Sequence, residues 1–218
     1  MKTVKACVAL AVLGAAIVSL WTVPASANVL VNPGFETGNY NGWVRVGPSG
    51  QRFDGVSQAY FGPATPFEGI RMAGAAANWS NAKDKAYIYQ IFAAPAGPVT
   101  VSGWGHAWNL SNGQPGNPAD TQVLIGWDPL GGTDPDAASV VWAAPILAVN
   151  EWQQRVITGI SPGGNNTVFA RVRHVWAIEW NATYVDAFEA HVVPEPGGLL
   201  ALAGGLSGFA GLLLRRRA

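Results

Sequence analysis

A single cysteine occurs in the 218 residues, Cys7, inside the first apolar run. The body of the chain therefore has no disulfide framework, no thiolate metal site and no cysteine nucleophile. Charge is also scarce, with Asp, Glu, Lys and Arg making up 12% of the residues. Between residues 28 and 192, eight basic side chains stand against twelve acidic ones, a net of −4. A nucleic-acid binder needs a basic face, so no nucleic-acid partner is expected. His-Glu-x-x-His and phosphate-loop patterns are missing. Histidines number three and are scattered: His106, His174 and His191. His106 and His174 could meet across strands and, with Arg171 or Tyr184, imitate a lyase site, but no pair of carboxylates stands out for glycoside cleavage. The body also lacks any long, well-capped helical period.

What is present begins at the ends. Lys2 and Lys5 precede an apolar run over residues 6–20, and Ala25-Ser26-Ala27 is a small-x-small cleavage site. Residues 1–27 read as a secretory signal peptide. At the other end, residues 197–214 carry no charge and one polar side chain, Ser207. That run is near the short limit for a bilayer-crossing helix, roughly 17–25 residues. Arg215, Arg216 and Arg217 follow at once and hold their side in the cytoplasm. Pro194 and Pro196 bracket Glu195 and keep the stretch before the helix extended.

Val193-Pro194-Glu195-Pro196, a short apolar helix and terminal arginines, in that order, resemble the PEP-CTERM sorting signal. The resemblance implies recognition by an exosortase, a membrane-embedded peptidase acting near residues 194–196. It further implies transient anchoring in the inner membrane and an association with exopolysaccharide or biofilm. A plain tail anchor with a proline-rich neck is the alternative. The chain then divides into a signal peptide (1–27), a body (28–192) and a sorting signal (193–218).

Gly and Pro punctuate the body every few residues, with runs rich in Val, Ile, Thr, Tyr and Trp between them. Strands are predicted over residues 87–92, 99–108, 122–127, 140–142, 152–160, 167–178 and 184–193. An all-β sandwich or jelly roll is the expected fold. Alternation sorts the side chains by face. In residues 99–108, Val99 and Val101 share the core side, leaving Trp104, His106 and Trp108 on the other. In residues 167–178, Val168, Ala170, Val172, His174 and Trp176 form one set, and Phe169, Arg171 and Arg173 the other.

Several segments, in order, resemble carbohydrate-binding jelly-roll modules of the galactose-binding-like kind. They are Leu30-Val31-Asn32-Pro33-Gly34-Phe35-Glu36 with Gly42-Trp43, then residues 68–72 as the next strand, residues 87–104 as a central strand pair, and Tyr184-Val185-Asp186-Ala187-Phe188 as the closing strand. The resemblance implies a glycan ligand and one structural calcium held by Glu36 and Asp186. An aromatic platform is the expected sugar site, because sugar C–H groups lie flat on an indole while hydroxyls need polar neighbours. Trp104, His106 and Trp108 fit, with Trp176, Arg171, Arg173 or Gln90 as partners. Asp128, Asp134 and Asp136 lie in a Gly-rich loop whose spacing is not that of an EF-hand, and they read as turn formers. The expected function is a non-catalytic glycan-binding module of the cell envelope or extracellular matrix. A structural or adhesive matrix protein without a sugar pocket is the alternative, and a polysaccharide lyase or hydrolase the third reading.

Overall fold

The computed structural model describes residues 27–48, 50–57 and 62–192. Residues 1–26 of the signal segment lie outside the described residues. So does the whole sorting segment, with Val193, Pro194, Glu195, Pro196, Arg215, Arg216 and Arg217. Among the described residues no helix is long and apolar enough to cross a membrane.

Apart from one 3-10 turn, Pro118–Asp120, the regular structure of the described residues is strand. The elements are β1 (Val44–Val46), β2 (Gly55–Ser57), β3 (Met72–Ala77), β4 (Tyr87–Ser111), β5 (Gln114–Pro115), β6 (Thr121–Asp128), β7 (Val141–Trp142), β8 (Ile146–Leu147), β9 (Trp152–His174) and β10 (Trp180–Val192). β4 and β9 form one antiparallel ribbon, in register from Tyr87↔Arg171 to His106↔Trp152. Its first half (residues 87–94 with 164–171) is flanked by β1 and β6. Its second half (residues 99–106 with 152–159) is flanked by β10, then β3 and β2.

These halves face one another as the two layers of a sandwich. The Cβ positions of Gly103 and Gly105, in the second half, lie against Ile125 and Val123 of β6, which is paired to the first half. The ribbon must therefore fold over on itself. Gly97, Gly163 and Gly164 sit between the halves with positive φ, where a side chain would be strained. A single core fills the space between layers, from Ile88, Val99 and Val101 to Val168, Val172 and Phe188.

The core side predicted for Val99 and Val101 holds, and of the two sets sorted in residues 167–178 the one containing Val168 faces the core as far as His174. Val99 and Val101 are fully buried in the core, as are Val168, Ala170, Val172 and His174. Two expected strands shift. The run predicted to reach residue 178 stops at His174, because Val175 and Trp176 donate their N–H groups to the Asp120 carbonyl and leave the ladder. The strand expected at residues 68–72 forms at Met72–Ala77 instead, since the amides of Ile70 and Arg71 are taken by the Glu36 carboxylate. The opening Gly-Phe and Gly-Trp pairs close one end of the core. Phe35 packs on Trp43 (5.4 Å), and Trp43 on Phe188 (4.9 Å).

Candidate functional site

The expected sugar-binding set is divided between the two outer faces. Trp104, His106 and Trp108 stand on the outside of the β4–β10 layer, beside Trp152 and Tyr184. Residues 62–68 lie on top of them. Phe67 stacks on Trp104 with ring centres 3.8 Å apart and planes 16° apart, and Gly62 sits on the Trp108 ring. Trp152 donates its indole N–H to the Thr65 carbonyl (2.9 Å). His106 is buried, and that burial lowers its pKa from the usual range, against an opposing contribution from hydrogen bonding with Asn150. The platform is thus a packed layer under a loop.

Two carboxylates hold that loop down. Asp186 Oδ2 accepts from the amides of Phe67 (2.9 Å) and Glu68 (3.3 Å), and its Oδ1 accepts from Ala187 (2.8 Å). Glu36 accepts from Ile70 and Arg71. Gly69, at φ +60, lies so close to the Glu36 carboxylate that a Cβ there would collide with it. Asp186 is fully buried, and burial raises its carboxyl to about 7, with the three amides pulling down and the Glu68 carboxylate pushing up. Glu36, Glu68 and Asp186 all converge on Gly34. No ion pair joins any of the three to a base among the described residues. Also among the described residues, no three His, Cys, Asp or Glu side chains form a metal-holding group by themselves. A cation at Gly34 would therefore need main-chain oxygens as well, which suits a hard ion such as calcium.

The opposite outer face carries a different constellation. Tyr87 and Tyr89 project from β4, Phe169 and Arg171 from β9, and Trp142 lies over Gly126 of β6. Their rings form a continuous band: Tyr87–Tyr89 at 6.3 Å, Tyr89–Phe169 at 6.0 Å and Phe169–Trp142 at 6.0 Å. At one end of the band opens a cleft of about 440 Å³, lined by Val46, Pro48, Lys85, Tyr87, Asp134, Asp136 and Arg171 among others. Arg171 is ion-paired with Asp136 (2.6 Å), and Tyr87 donates its hydroxyl to the Thr133 carbonyl (3.3 Å). Burial raises the Tyr87 pKa, and the neighbouring Tyr89 adds to the rise, so the hydroxyl stays protonated.

The acidic loop behaves as its turn chemistry predicts. Asp128 caps Leu130 and Gly132 (2.9 and 3.0 Å), and Asp134 accepts from the Asp136 amide (2.9 Å). Anchored this way, the loop presents Asp134 and Asp136 to the cleft.

Of the remaining expected residues, Arg173 is exposed on the cleft side but does not line the cleft. Trp176 is 66% exposed in the β9–β10 loop, outside the strand face expected for it. Gln90 points inward, its amide spent on both backbone groups of Val31 (2.6 and 2.9 Å). His106 and His174 do not pair: the first lies on an outer face and the second between the layers with neither ring nitrogen hydrogen-bonded. Residues the sequence reading passed over are Lys85 and Tyr87. Their signal was the alternation Tyr87-Ile88-Tyr89, which puts both tyrosines opposite the core.

No protein-family model matches the sequence, and no curated protein matches it either. Solved structures share the fold. The structure of TmCBM61 in complex with β-1,4-galactotriose superposes with a TM-score of 0.53 at 19% identity, covering 76% of this chain and 98% of that one. The CBM22-1 xylan-binding domain of Paenibacillus barcinonensis Xyn10C gives 0.50 at 13% identity, covering 78% and 97%. The K3 cleaved adhesin domain of Lys-gingipain from Porphyromonas gingivalis gives 0.52 at 14%, covering 77% and 99%. A bacteriophage CBA120 tailspike enzymatic domain also matches, at 0.52 and 11%, but only 21% of that chain is covered. The fold is therefore an all-β sandwich that carbohydrate-binding modules use, and fold alone does not assign a ligand.

Proposed function

We propose that the chain is an exported, non-catalytic glycan-binding module whose sugar site is the cleft beside Tyr87 and Arg171. The carrying observation is that cleft: an aromatic ring at its wall, with two cations and two carboxylates around it. A sugar ring stacks on Tyr87 while its hydroxyls, each both donor and acceptor, meet Lys85, Arg171, Asp134 and Asp136. Balanced charge favours a neutral, hydroxyl-rich ring over an ionised one, which would meet repulsion from one of the two signs. Residues 193–218 add the sorting step: exosortase cutting near Pro194–Pro196, with the module delivered to exopolysaccharide outside the cell. The intact mass of the surface protein reads whether that tail is removed.

Gel retention against a panel of neutral polysaccharides tests the cleft. Tyr87→Ala is expected to bind about tenfold more weakly, a loss of roughly 1.4 kcal/mol. Trp104→Ala should retain binding once its melting temperature is allowed for. Equal retention by Tyr87→Ala and the parent refutes the site. An adhesive matrix protein without a sugar pocket is the second reading, supported by the covered tryptophan layer, and silence of the parent on every glycan would favour it.

One structural calcium, seated by Glu36 and Asp186, belongs to the same reading. It would supply the positive charge that the acids around Gly34 lack, tightening the clasp on residues 67–71. Calcium is then expected to raise the melting temperature of the parent and not of Asp186→Asn; a chelator that leaves the parent's transition unmoved contradicts the ion.

A further inference from the structure

The sandwich protects nearly all of its sheet edges. β1, β2, β7 and β8, which flank the long strands, are two or three residues each. Asn28 and Val29 lie along β10, bonded to the backbone of Ala190. Short or patched edges are how folded proteins avoid pairing with other chains. One edge departs from this. Over residues 152–160, β9 pairs with β4 on one side and with no strand on the other, among the described residues. No charged residue occurs between Arg155 and Arg171, and residues 156–160 read Val-Ile-Thr-Gly-Ile. Ile157 points into the core and Gly159 lies under the Trp127 ring. Val156 and Ile160 point outward, 56% and 69% exposed, with exposed Thr158 between them.

We propose that this edge is the contact between two copies of the chain, paired antiparallel about Thr158. The register is what selects a second copy. In an antiparallel pair centred on Thr158, Val156 of each copy falls opposite Ile160 of the other, on the same side of the joined sheet. Directly opposed β-branched side chains stabilise such pairing. The same register sets Arg155 opposite Ser161, so the nearest charges do not meet. The pairing is two-fold and uses up the edge on both copies, so it closes at a dimer and does not propagate. It leaves the Tyr87 face of each copy open, and a dimer would present two clefts to one polysaccharide.

Analytical ultracentrifugation of the full chain over a concentration series tests this, comparing the parent with Val156→Lys/Ile160→Lys. Both side chains are exposed, so the fold should persist, which circular dichroism checks. Ile160→Lys alone serves if the double variant does not fold. A monomer–dimer equilibrium in the parent, displaced to monomer in the variant, is expected. A parent that stays monomeric up to its solubility limit overturns the proposal. So does association that the lysines leave unchanged, or growth beyond the dimer.

Discussion

Replacing Lys83 by methionine is expected to cost about 3 kcal/mol of folding stability. The side chain is 90% removed from solvent yet carries a charge, and its ammonium group spends its three donors on Gly50 O (3.0 Å), Arg52 O (2.9 Å) and Asp54 Oδ1 (2.6 Å). Asp54 turns its other oxygen to the Ala76 amide of β3 (2.7 Å). Methionine fills the space but leaves a carboxylate and two carbonyls without their donor. Breaking a buried pair costs about 3–5 kcal/mol, and the 24% exposure of the Asp54 side chain sets this case at the lower end. The consequence reaches the cleft, because Arg52 donates to Gly47 O (3.0 Å) in the segment that forms one wall. Urea unfolding checks the stability, and Lys83→Met combined with Asp54→Leu should recover part of the loss. A single variant within about 1 kcal/mol of the parent would show the pair to be dispensable.

His174 should make stability depend on acid. It is fully buried with both ring nitrogens unpartnered. Burial, and then the charge on Lys83, lower its pKa to about 3. A depressed histidine binds its proton in the unfolded chain first. Its share of stability is therefore whole above about pH 6.5 and lost as pH falls toward 3, at up to about 1.4 kcal/mol per unit. Asp186 acts in the opposite sense: its raised carboxyl holds a proton in the folded state up to about 7, so its share is lost as pH rises through that value. The two oppose each other in the parent, and only a difference isolates the histidine. The stability of His174→Leu relative to the parent is expected to grow steadily as pH falls below about 6.5 and to level off near 3. A difference constant with pH would mean that His174 takes a proton without leaving the core.

Much of this architecture is legible in the sequence. Period-two alternation assigned core and outer faces in residues 99–108 and sorted residues 167–178 into two sets, because one residue of slip would have exposed every valine. Glycine and proline marked the breaks. Layering was not legible. Residues 87–111 read as two strands and are one ribbon arm folded over at Gly97, so side chains sorted onto "the other face" belong to different layers on either side of the fold. That is why Trp104 and Arg171, both outward, never meet. Loop coverage was equally hidden: nothing in the local pattern of residues 62–68 says that Phe67 lies on Trp104. Tyr87 and Lys85 fall outside the expected site because tryptophan is the most numerous aromatic residue, which draws the expectation toward the residues that pack the other layer.

Chemical-shift mapping of the isotope-labelled chain with a neutral oligosaccharide bound tests the central claim most directly. The largest shifts are expected at Lys85, Tyr87, Asp134, Asp136 and Arg171, with the indole signals of Trp104, Trp108 and Trp152 unmoved. Shifts centred on those three indoles, with Tyr87 and Arg171 silent, would place the sugar under the loop and contradict the cleft.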